Sequence, residues 1–494
     1  MYTVIASLVC TCITGLLVLQ HPELSHWFVI PLTMCGILIG RDLVRWAYGQ
    51  MDPFDPAALA GLMFFNGFYI APMMQVAWNF FPGLPSLDWP HWFGIWGIVS
   101  FFGLALYVFV RDTKYPSTKQ RTPYVWVVDN TAFTITAVIL LAVSAASVVL
   151  VFARFGGISG IAAAYDMRAE MGRNAYDPFE GLGVILQFAN AFTVLFPICL
   201  LLFLRKYKLI RSKGFFIFYC IASIILAMIV SGAFGSRARI IYPIFICVAT
   251  YHFTVRPIAR KWLVIGAACV VLLMNVYYWY KQGGLEGLNA IFNESAQQEI
   301  LARKHVEDET RFTMTRDFSR ADMQAFLISK ELGGGLEHSW GRTYIAAVLA
   351  VVPRAVFPAR PPTAAKEKTE ALFGPGSYSE QTMTNLLVGL LGEGILNFGL
   401  ALAPLLYAGV GYIARFVRML QWRLMPGDLR RLLIAPACIL PTTFTFADSN
   451  VIATFVMAYF LFPTLLVVFG RRRMKLAARS SYAPDRSLQQ ASAS

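Results

Sequence analysis

Charged residues are scarce in this chain. Asp, Glu, Lys and Arg make up 14% of its 494 residues, while 57% are hydrophobic and 14% are aromatic. A soluble domain carries roughly 25% charged residues, and its core has no room for so much apolar surface. A membrane-spanning helix, in contrast, uses about 20 mostly apolar residues. The composition therefore excludes a soluble globular protein and predicts an all-α polytopic membrane protein.

Cysteine is present, but not in the pattern of a disulfide framework or a structural zinc site. All eight cysteines lie in apolar stretches, and none lies in a long polar loop. Disulfides and structural zinc are therefore not expected. No acidic metal-ligand cluster stands out in the loops either, so we expect neither a metal nor a cofactor.

Three catalytic signatures are also missing. The chain contains no Gly-x-x-x-x-Gly-Lys, no His-Glu-x-x-His and no Gly-x-Ser-x-Gly sequence. Their absence argues against ATP hydrolysis by a phosphate loop, zinc proteolysis and the serine nucleophile elbow.

Apolar runs of spanning length recur along the chain and predict about twelve transmembrane helices. The first run has no Lys or Arg ahead of it and no small-residue cleavage site behind it, so it is expected to be a retained span. The runs lie at about 2–19, 27–39, 57–79, 92–110, 133–152, 182–204, 215–231, 240–254, 262–280, 395–413, 432–446 and 451–469.

The formal net charge is +14, and its distribution predicts the orientation. Alternate loops hold 25 of the 42 Lys and Arg residues. Because cytoplasmic loops collect basic residues, this set is placed inside, and the charge does not indicate a nucleic-acid partner. We expect a multi-pass membrane protein with both termini cytoplasmic.

Two long loops then face outwards, and they divide the chain. Helices 1–5 occupy 1–152, an outer loop 153–181, helices 6–9 182–280, a large outer loop domain 281–394, helices 10–12 395–470 and a cytoplasmic tail 471–494. Loops longer than about 15 residues are uncommon unless they are functional or disordered. The larger one is too mixed in apolar and polar residues for disorder, so it predicts a partly helical periplasmic cap.

Local signals suggest the structure of this cap. Ser319 with Asp322 three residues later is typical of a capping box that begins a helix, and the glycines 333–335 predict its end. The apolar run 344–352 is too short to span the membrane before Pro353 interrupts it. It predicts a re-entrant or interfacial segment.

Arginine dominates the positive charge of the outer face. Guanidinium groups bind phosphate oxygens in a bidentate manner and keep their charge near pH 7, so a diphosphate at the membrane surface is the predicted ligand. Pairing with acidic residues or with anionic lipid is the alternative for any one of them. The twelve are Arg154, Arg168, Arg173, Arg237, Arg239, Arg303, Arg311, Arg316, Arg320, Arg342, Arg354 and Arg360.

Four of these arginines are the strongest candidates for diphosphate binding. Arg237 and Arg239 lie in a short turn between two spans, where the amides of Gly235 and Ser236 could approach the same anion. Arg342 and Arg354 flank the short segment, and the prolines that follow it, between 353 and 362, shape the chain at membrane depth.

Two side chains are candidates for a general base. Glu393 is a carboxylate among glycines and apolar residues just before a span, where an ionisable group is expensive without a partner. It could accept a proton from a sugar hydroxyl, or it could be the ion-pair partner of an outer arginine. His338 could also act as the base, although a lone loop histidine is more often incidental.

Several short motifs together resemble the bacterial O-antigen polymerases of the Wzy type, which are related to the O-antigen ligases. The motifs are Gly235-Ser-Arg237, Gly341-x-x-Tyr344, Val352-Pro-Arg354, Phe357-Pro-x-Arg360, Gly392-Glu-Gly394 and Asn397-Phe-Gly399. The resemblance covers about residues 150–415.

This resemblance implies an inverting, metal-independent glycosyltransferase. Its substrate would be an undecaprenyl-diphosphate-linked oligosaccharide, and its partners membrane lipid and a chain-length regulator and flippase of the same pathway. The family's reliance on outer-loop arginines carries over to Arg237, Arg239, Arg342 and Arg354. The alternatives are an O-antigen ligase, a transporter or flippase for lipid-linked sugars, and a non-catalytic scaffold.

Overall fold

The computed structural model is almost entirely helical. It describes residues 1–81, 88–113, 124–157, 159–161, 163–164, 179, 181–230, 238–304, 315, 319–350, 357, 361–378 and 387–475. Among the sites predicted from sequence, Arg237 and Arg354 lie outside these residues, as do most of the 153–181 loop and residues 476–494 of the tail.

The first part of the chain forms a series of long helices. Several begin and end at residues suited to these positions. Asp55 caps α3 by accepting a hydrogen bond from the amide of Ala57, with Pro56 as the first helical residue. Asp129 caps α5, which ends at Gly156 with a φ of +73°. The helices are α1 Tyr2–Gln20, α2 Val29–Ala47, α3 Pro56–Ala77, α4 Trp89–Asp112, α5 Asn130–Phe155 and α6 Gly183–Lys206.

The second part contains both long helices and shorter ones. The long helices of its first half are α7 Lys213–Val230, α8 Ala238–Thr254 and α9 Arg260–Ala290. The large loop contributes α10 Glu294–Lys304, α11 Ala321–Leu332, α12 Arg342–Leu349, α13 Ala364–Phe373 and α14 Gly389–Phe398. The chain continues with α15 Leu406–Arg423, α16 Leu429–Phe446 and α17 Ser449–Phe469.

Seven of the described helices are long and apolar enough to cross a membrane: α1, α3, α4, α5, α6, α16 and α17. This confirms the predicted class of protein, a mostly helical protein with membrane-spanning segments, while twelve spans stay a prediction. Helices α7 and α8 are apolar but shorter. Their apolar parts, Gly214–Val230 and Ala238–Thr254, have 17 residues each.

The predicted span at 395–413 is not one helix. Helix α14 ends at Phe398, Gly399 has a φ of +78°, and α15 begins only at Leu406. A Cβ atom on Gly399 would lie 2.9 Å from Glu331 Oε1 and 3.1 Å from His338 Nε2. The apolar run is therefore interrupted because the chain passes close to these two polar side chains.

Part of the predicted outer cap packs inside the helical bundle. Nearly all of α11 is buried, and Gln324 accepts a hydrogen bond of 2.7 Å from the indole of Trp96 on α4. The main hydrophobic core unites α1–α4 with α11, α14 and α15. A second core joins α5, α6, α8 and α15–α17.

The predicted capping box at the start of α11 is wrong. Ser319 does accept a hydrogen bond of 3.2 Å from the amide of Ala321, but it donates to the carbonyl of Gly67. The carboxylate of Asp322 accepts from the adjacent amide of Met323 instead of returning to Ser319. The end of the helix at Leu332, before the three glycines, agrees with the prediction.

A two-stranded antiparallel sheet was not expected. Strand β1 is Tyr124–Val128 and strand β2 is Arg471–Lys475, paired from Tyr124 with Lys475 to Val128 with Arg471. The sequence of β1 is rich in Val and aromatic residues, which favour strands. We call this two-stranded sheet the basic ribbon.

Candidate functional site

Glu393 joins three helices at one end of the bundle. It lies in the middle of α14 with 1% of its surface exposed. Its Oε1 accepts hydrogen bonds from Thr343 Oγ1 on α12 at 2.7 Å and from Ser449 Oγ on α17 at 2.5 Å. Its Oε2 accepts one from the backbone amide of Ser449 at 2.7 Å. The carboxylate therefore sits at the N-terminus of α17, where the helix dipole favours negative charge.

Asn397, one turn after Glu393, extends this network. Its Nδ2 donates to Thr343 Oγ1 at 2.8 Å, and its Oδ1 accepts from the amide of Gly341 at 2.9 Å. The amide of Ser339 also donates to the carbonyl of Leu396. Polar contacts at the first turn of α12 and in the residues just before it thus fix this helix to α14.

A second buried carboxylate, Asp448, lies beside the first. Its Oδ1 accepts hydrogen bonds from the amides of Val388 and Gly389, and Lys368 Nζ on α13 contacts Oδ2 at 2.7 Å. Both side chains of the ion pair are buried. Gly389 has a φ of +65°, so the chain turns sharply there and presents two consecutive amides to one oxygen.

Burial raises the pKa of Glu393 above that of a solvated carboxyl, and the negative charge of Asp448 acts in the same direction. The hydrogen bonds from Ser449 and Thr343 oppose this effect by stabilising the charged form. A carboxylate has about four acceptor positions, and three are occupied by protein donors. Chemically, Glu393 can accept one further hydrogen bond or a proton.

The partners of Glu393 bear on the two roles that its sequence suggested. The structure shows that two hydroxyl groups and a backbone amide donate to its carboxylate. The ion-pair interpretation had predicted an arginine as the partner. The general-base interpretation stays a prediction.

His338 lies in the segment between α11 and α12, beside Glu331. Its Nε2 is 2.8 Å and 3.1 Å from the two carboxylate oxygens of Glu331, and 28% of its side chain is exposed. Trp340 follows with 72% exposure and a φ of +47°. A histidine paired with a carboxylate and open to solvent can exchange a proton with a bound molecule.

The structure describes two of the four candidate arginines, in different places. Arg342 opens α12 directly before Thr343, is 53% exposed, and contacts Glu367 Oε1 at 3.4 Å. Arg239 lies at the start of α8, in the neighbourhood of Tyr277 and Tyr459. Arg342 is thus the candidate that the structure connects to Glu393, through its neighbour Thr343.

Several residues of the site were not singled out from the sequence. The sequence did offer a clue to Asp448 and Ser449. They form a short polar stretch between two apolar runs, where an ionisable residue is unusual. Lys368 and Thr343 lie in mixed sequence without such a signal. Arg320, one of the twelve outer arginines, donates from Nε to the carbonyl of Phe446 at 3.1 Å, close in sequence to Asp448.

Metal binding has no evident site in the part of the chain that the structure describes, where no three His, Cys, Asp or Glu side chains are grouped suitably. Comparison of the chain with protein-family models, curated proteins and solved structures finds no match.

Proposed function

We propose that the protein is a membrane glycosyltransferase that joins undecaprenyl-diphosphate-linked oligosaccharide repeat units into a surface polysaccharide, an O-antigen or exopolysaccharide. The reaction would take place at the outer face of the bacterial inner membrane. The observation that supports the proposal is that the buried carboxylate of Glu393 accepts a hydrogen bond from Thr343, the residue next to the exposed Arg342. The proposed proton acceptor and the proposed phosphate-binding group thus belong to two helices that are hydrogen-bonded to each other.

The proposed chemistry needs both groups. The bond between the anomeric carbon and the diphosphate oxygen breaks, and the acceptor hydroxyl forms the new bond to that carbon. The leaving diphosphate carries negative charge that Arg342 compensates through its planar fork. The hydroxyl proton passes to a base, and inversion at carbon is what the resemblance implies.

Two groups can serve as this base. Burial and the charge of Asp448 raise the pKa of Glu393, which makes its carboxylate a stronger proton acceptor, and one acceptor position is unused. His338 is more exposed and is oriented by Glu331. If His338 is the base, Glu393 acts as a positioning residue that holds Thr343, and with it the first turn of α12.

A ligase would use the same residues with a different acceptor. A transporter or flippase is the candidate from another class, and one observation favours it. Ionisable side chains lie at two interruptions of apolar sequence: Glu393 shortly before the break at Gly399, and Asp448 between α16 and α17. Broken helices with polar groups are typical of transporter binding sites.

Deleting the gene and separating the surface polysaccharide on a gel distinguishes these functions. A polymerase predicts caps of a single repeat unit in the deletion strain. Free lipid-linked chains would indicate a ligase, and complete loss of surface polysaccharide would indicate a flippase. Complementation with the wild type and with Arg342→Ala, at equal protein level, then tests whether the site described above carries the activity.

A further inference from the structure

The basic ribbon is fixed to the ends of two apolar helices. Strand β1 leads into α5 and strand β2 follows α17, and both helices are long and apolar enough to cross a membrane. The amide of Asp129 donates to the carbonyl of Gly470 at 3.0 Å and ties these two ends together. The 21 residues of α17 separate the ribbon from Glu393, about 31 Å, which matches the thickness of the hydrocarbon layer. The ribbon therefore lies at the depth of the lipid headgroups, on the face opposite to the candidate site.

The side chains of the ribbon carry a dense positive charge. Four of the five residues of β2 are basic, and neither strand contains an acidic residue. Arg472, Arg473 and Lys475 are exposed. Among the described residues, the structure shows no carboxylate paired with these three side chains. Exposed Met474, at 53%, adds an apolar group to the same short strand.

The charges are held in place by an aromatic ring. The guanidinium groups of Arg471, Arg430 and Arg473 lie 4.0, 5.0 and 5.8 Å from the centre of the Trp126 ring. Trp126 itself packs against the second hydrophobic core. Cation–π contacts of this kind fix the position of a guanidinium without neutralising it. Two of the four basic side chains of β2, Arg471 and Arg473, are thus held in place while keeping their charge.

The adjoining sequence is poor in negative charge. Residues 114–123, just before β1, include three basic residues and no acid, and residues 476–494, just after β2, contain the single acid Asp485 beside Arg479 and Arg486. The flanking segments therefore add positive charge on balance, and most of the complementary charge would come from another molecule. At headgroup depth the abundant anions are the phosphates of anionic phospholipids, and basic segments beside spanning helices are attracted to them.

We propose that the basic ribbon is a binding site for anionic phospholipid headgroups, with Arg472, Arg473 and Lys475 contacting the phosphates. The site is separate from the proposed glycosyltransferase chemistry. It does not depend on that proposal, because it uses only the ribbon and its attachment to α5 and α17.

The test uses the purified full-length protein in neutral detergent, titrated with phosphatidylglycerol and, separately, with phosphatidylcholine. Each basic residue at a membrane surface contributes measurably to anionic lipid binding. The triple variant Arg472→Gln/Arg473→Gln/Lys475→Gln should therefore bind phosphatidylglycerol on the order of 100-fold more weakly. Binding of phosphatidylcholine should not change, and raised salt should weaken the wild-type interaction.

Two controls separate the ribbon from general positive charge and from misfolding. Arg205→Gln/Lys206→Gln/Lys208→Gln removes three exposed basic residues at and just after the end of α6, outside the ribbon, and should weaken phosphatidylglycerol binding much less than the ribbon variant. Arg472→Lys/Arg473→Lys keeps the charge and should retain most of it. Equal loss in both glutamine variants, or equal affinity for the two lipids, would overturn the proposal. Competition by millimolar inorganic phosphate at low salt would show a simple anion site and would also overturn it.

Discussion

Glu393 shows how one buried carboxylate can be held by its neighbours and still be able to react. Its three donors come from α12 and α17. The same contacts that stabilise its charge also connect the membrane helices to the loop helices. Its structural and chemical roles are therefore separable only by substitution.

Glu393→Gln separates them. The amide group of Gln mismatches one of the buried donors, which costs about 1–3 kcal/mol whichever role Glu393 has. Gln cannot take up a proton, so if Glu393 is the base, turnover per folded molecule should fall by about 10² to 10⁴. If Glu393 only positions α12, the unfolding temperature should fall while the folded protein keeps most of its turnover. Purified protein assayed for thermal unfolding and for transfer decides between the roles. A stable and fully active variant would refute both.

Arg342 allows a cleaner test because it is exposed. Its ion pair with Glu367 contributes about 0–1 kcal/mol, since it lies at the surface, so replacing it should hardly change stability. We expect Arg342→Lys to lose nearly as much transfer activity as Arg342→Ala, because Lys keeps the charge but not the fork. Glu367→Gln is the matched control, since it breaks the same pair from the other side. If Glu367→Gln lowers activity equally, the ion pair is the required feature, and phosphate binding by Arg342 is not supported.

At the scale of elements, the break between α14 and α15 depends on Gly399. Its φ of +78° and the nearness of Glu331 and His338 both disfavour a side chain. Gly399→Ala should destabilise the protein by about 1–3 kcal/mol and disturb the His338–Glu331 contact. In Gly409→Ala, within α15, the new Cβ meets no atom within 4 Å, so stability should be unchanged or slightly higher. The denaturation midpoints of the two variants are then compared. Equal midpoints would contradict the dependence of the break on Gly399.

The attachment of α13 to the membrane helices depends on the Lys368–Asp448 pair. Lys368→Met leaves Asp448 buried without its cation, so we expect a loss of about 3–5 kcal/mol. Lys366→Met, on the exposed side of the same helix, should have little effect. Its ion pair with Glu370 is long, at 4.0 Å, and lies at the surface, where such pairs contribute little to stability. Thermal unfolding of both variants in the same detergent tests this, and similar unfolding temperatures would show that α13 is held by other contacts.

At the scale of the whole molecule, the count of basic residues predicts that the long loop lies outside. Ser295→Cys, at the exposed start of α10, should react with an impermeant thiol reagent in cells whose outer membrane is permeabilised, in a background without other cysteines. Ser212→Cys, in the exposed turn before α7, is expected inside and should react only after the inner membrane is lysed. The reverse pattern would invert the topology, and with it the face assigned to the proposed reaction.

The sequence by itself determined the class of the protein and the position of most long helices. The prediction of spans at 133–152 and 182–204 agrees with Asn130–Phe155 and Gly183–Lys206, because an apolar run of spanning length is a property of adjacent residues. Glu393 could also be singled out, since a carboxylate among apolar residues is conspicuous. The sequence alone was thus enough to identify Glu393 as a candidate site residue.

Only the tertiary structure decided what these residues contact. Thr343 and Ser449 lie 50 and 56 residues from Glu393 in the chain, and no local pattern links them. The burial of α11 beside α4 depends on Trp96 meeting Gln324 across the bundle. The basic ribbon forms because the segment before α5 meets the segment after α17, and strand pairing needs hydrogen bonds from a partner that periodicity within either segment cannot reveal.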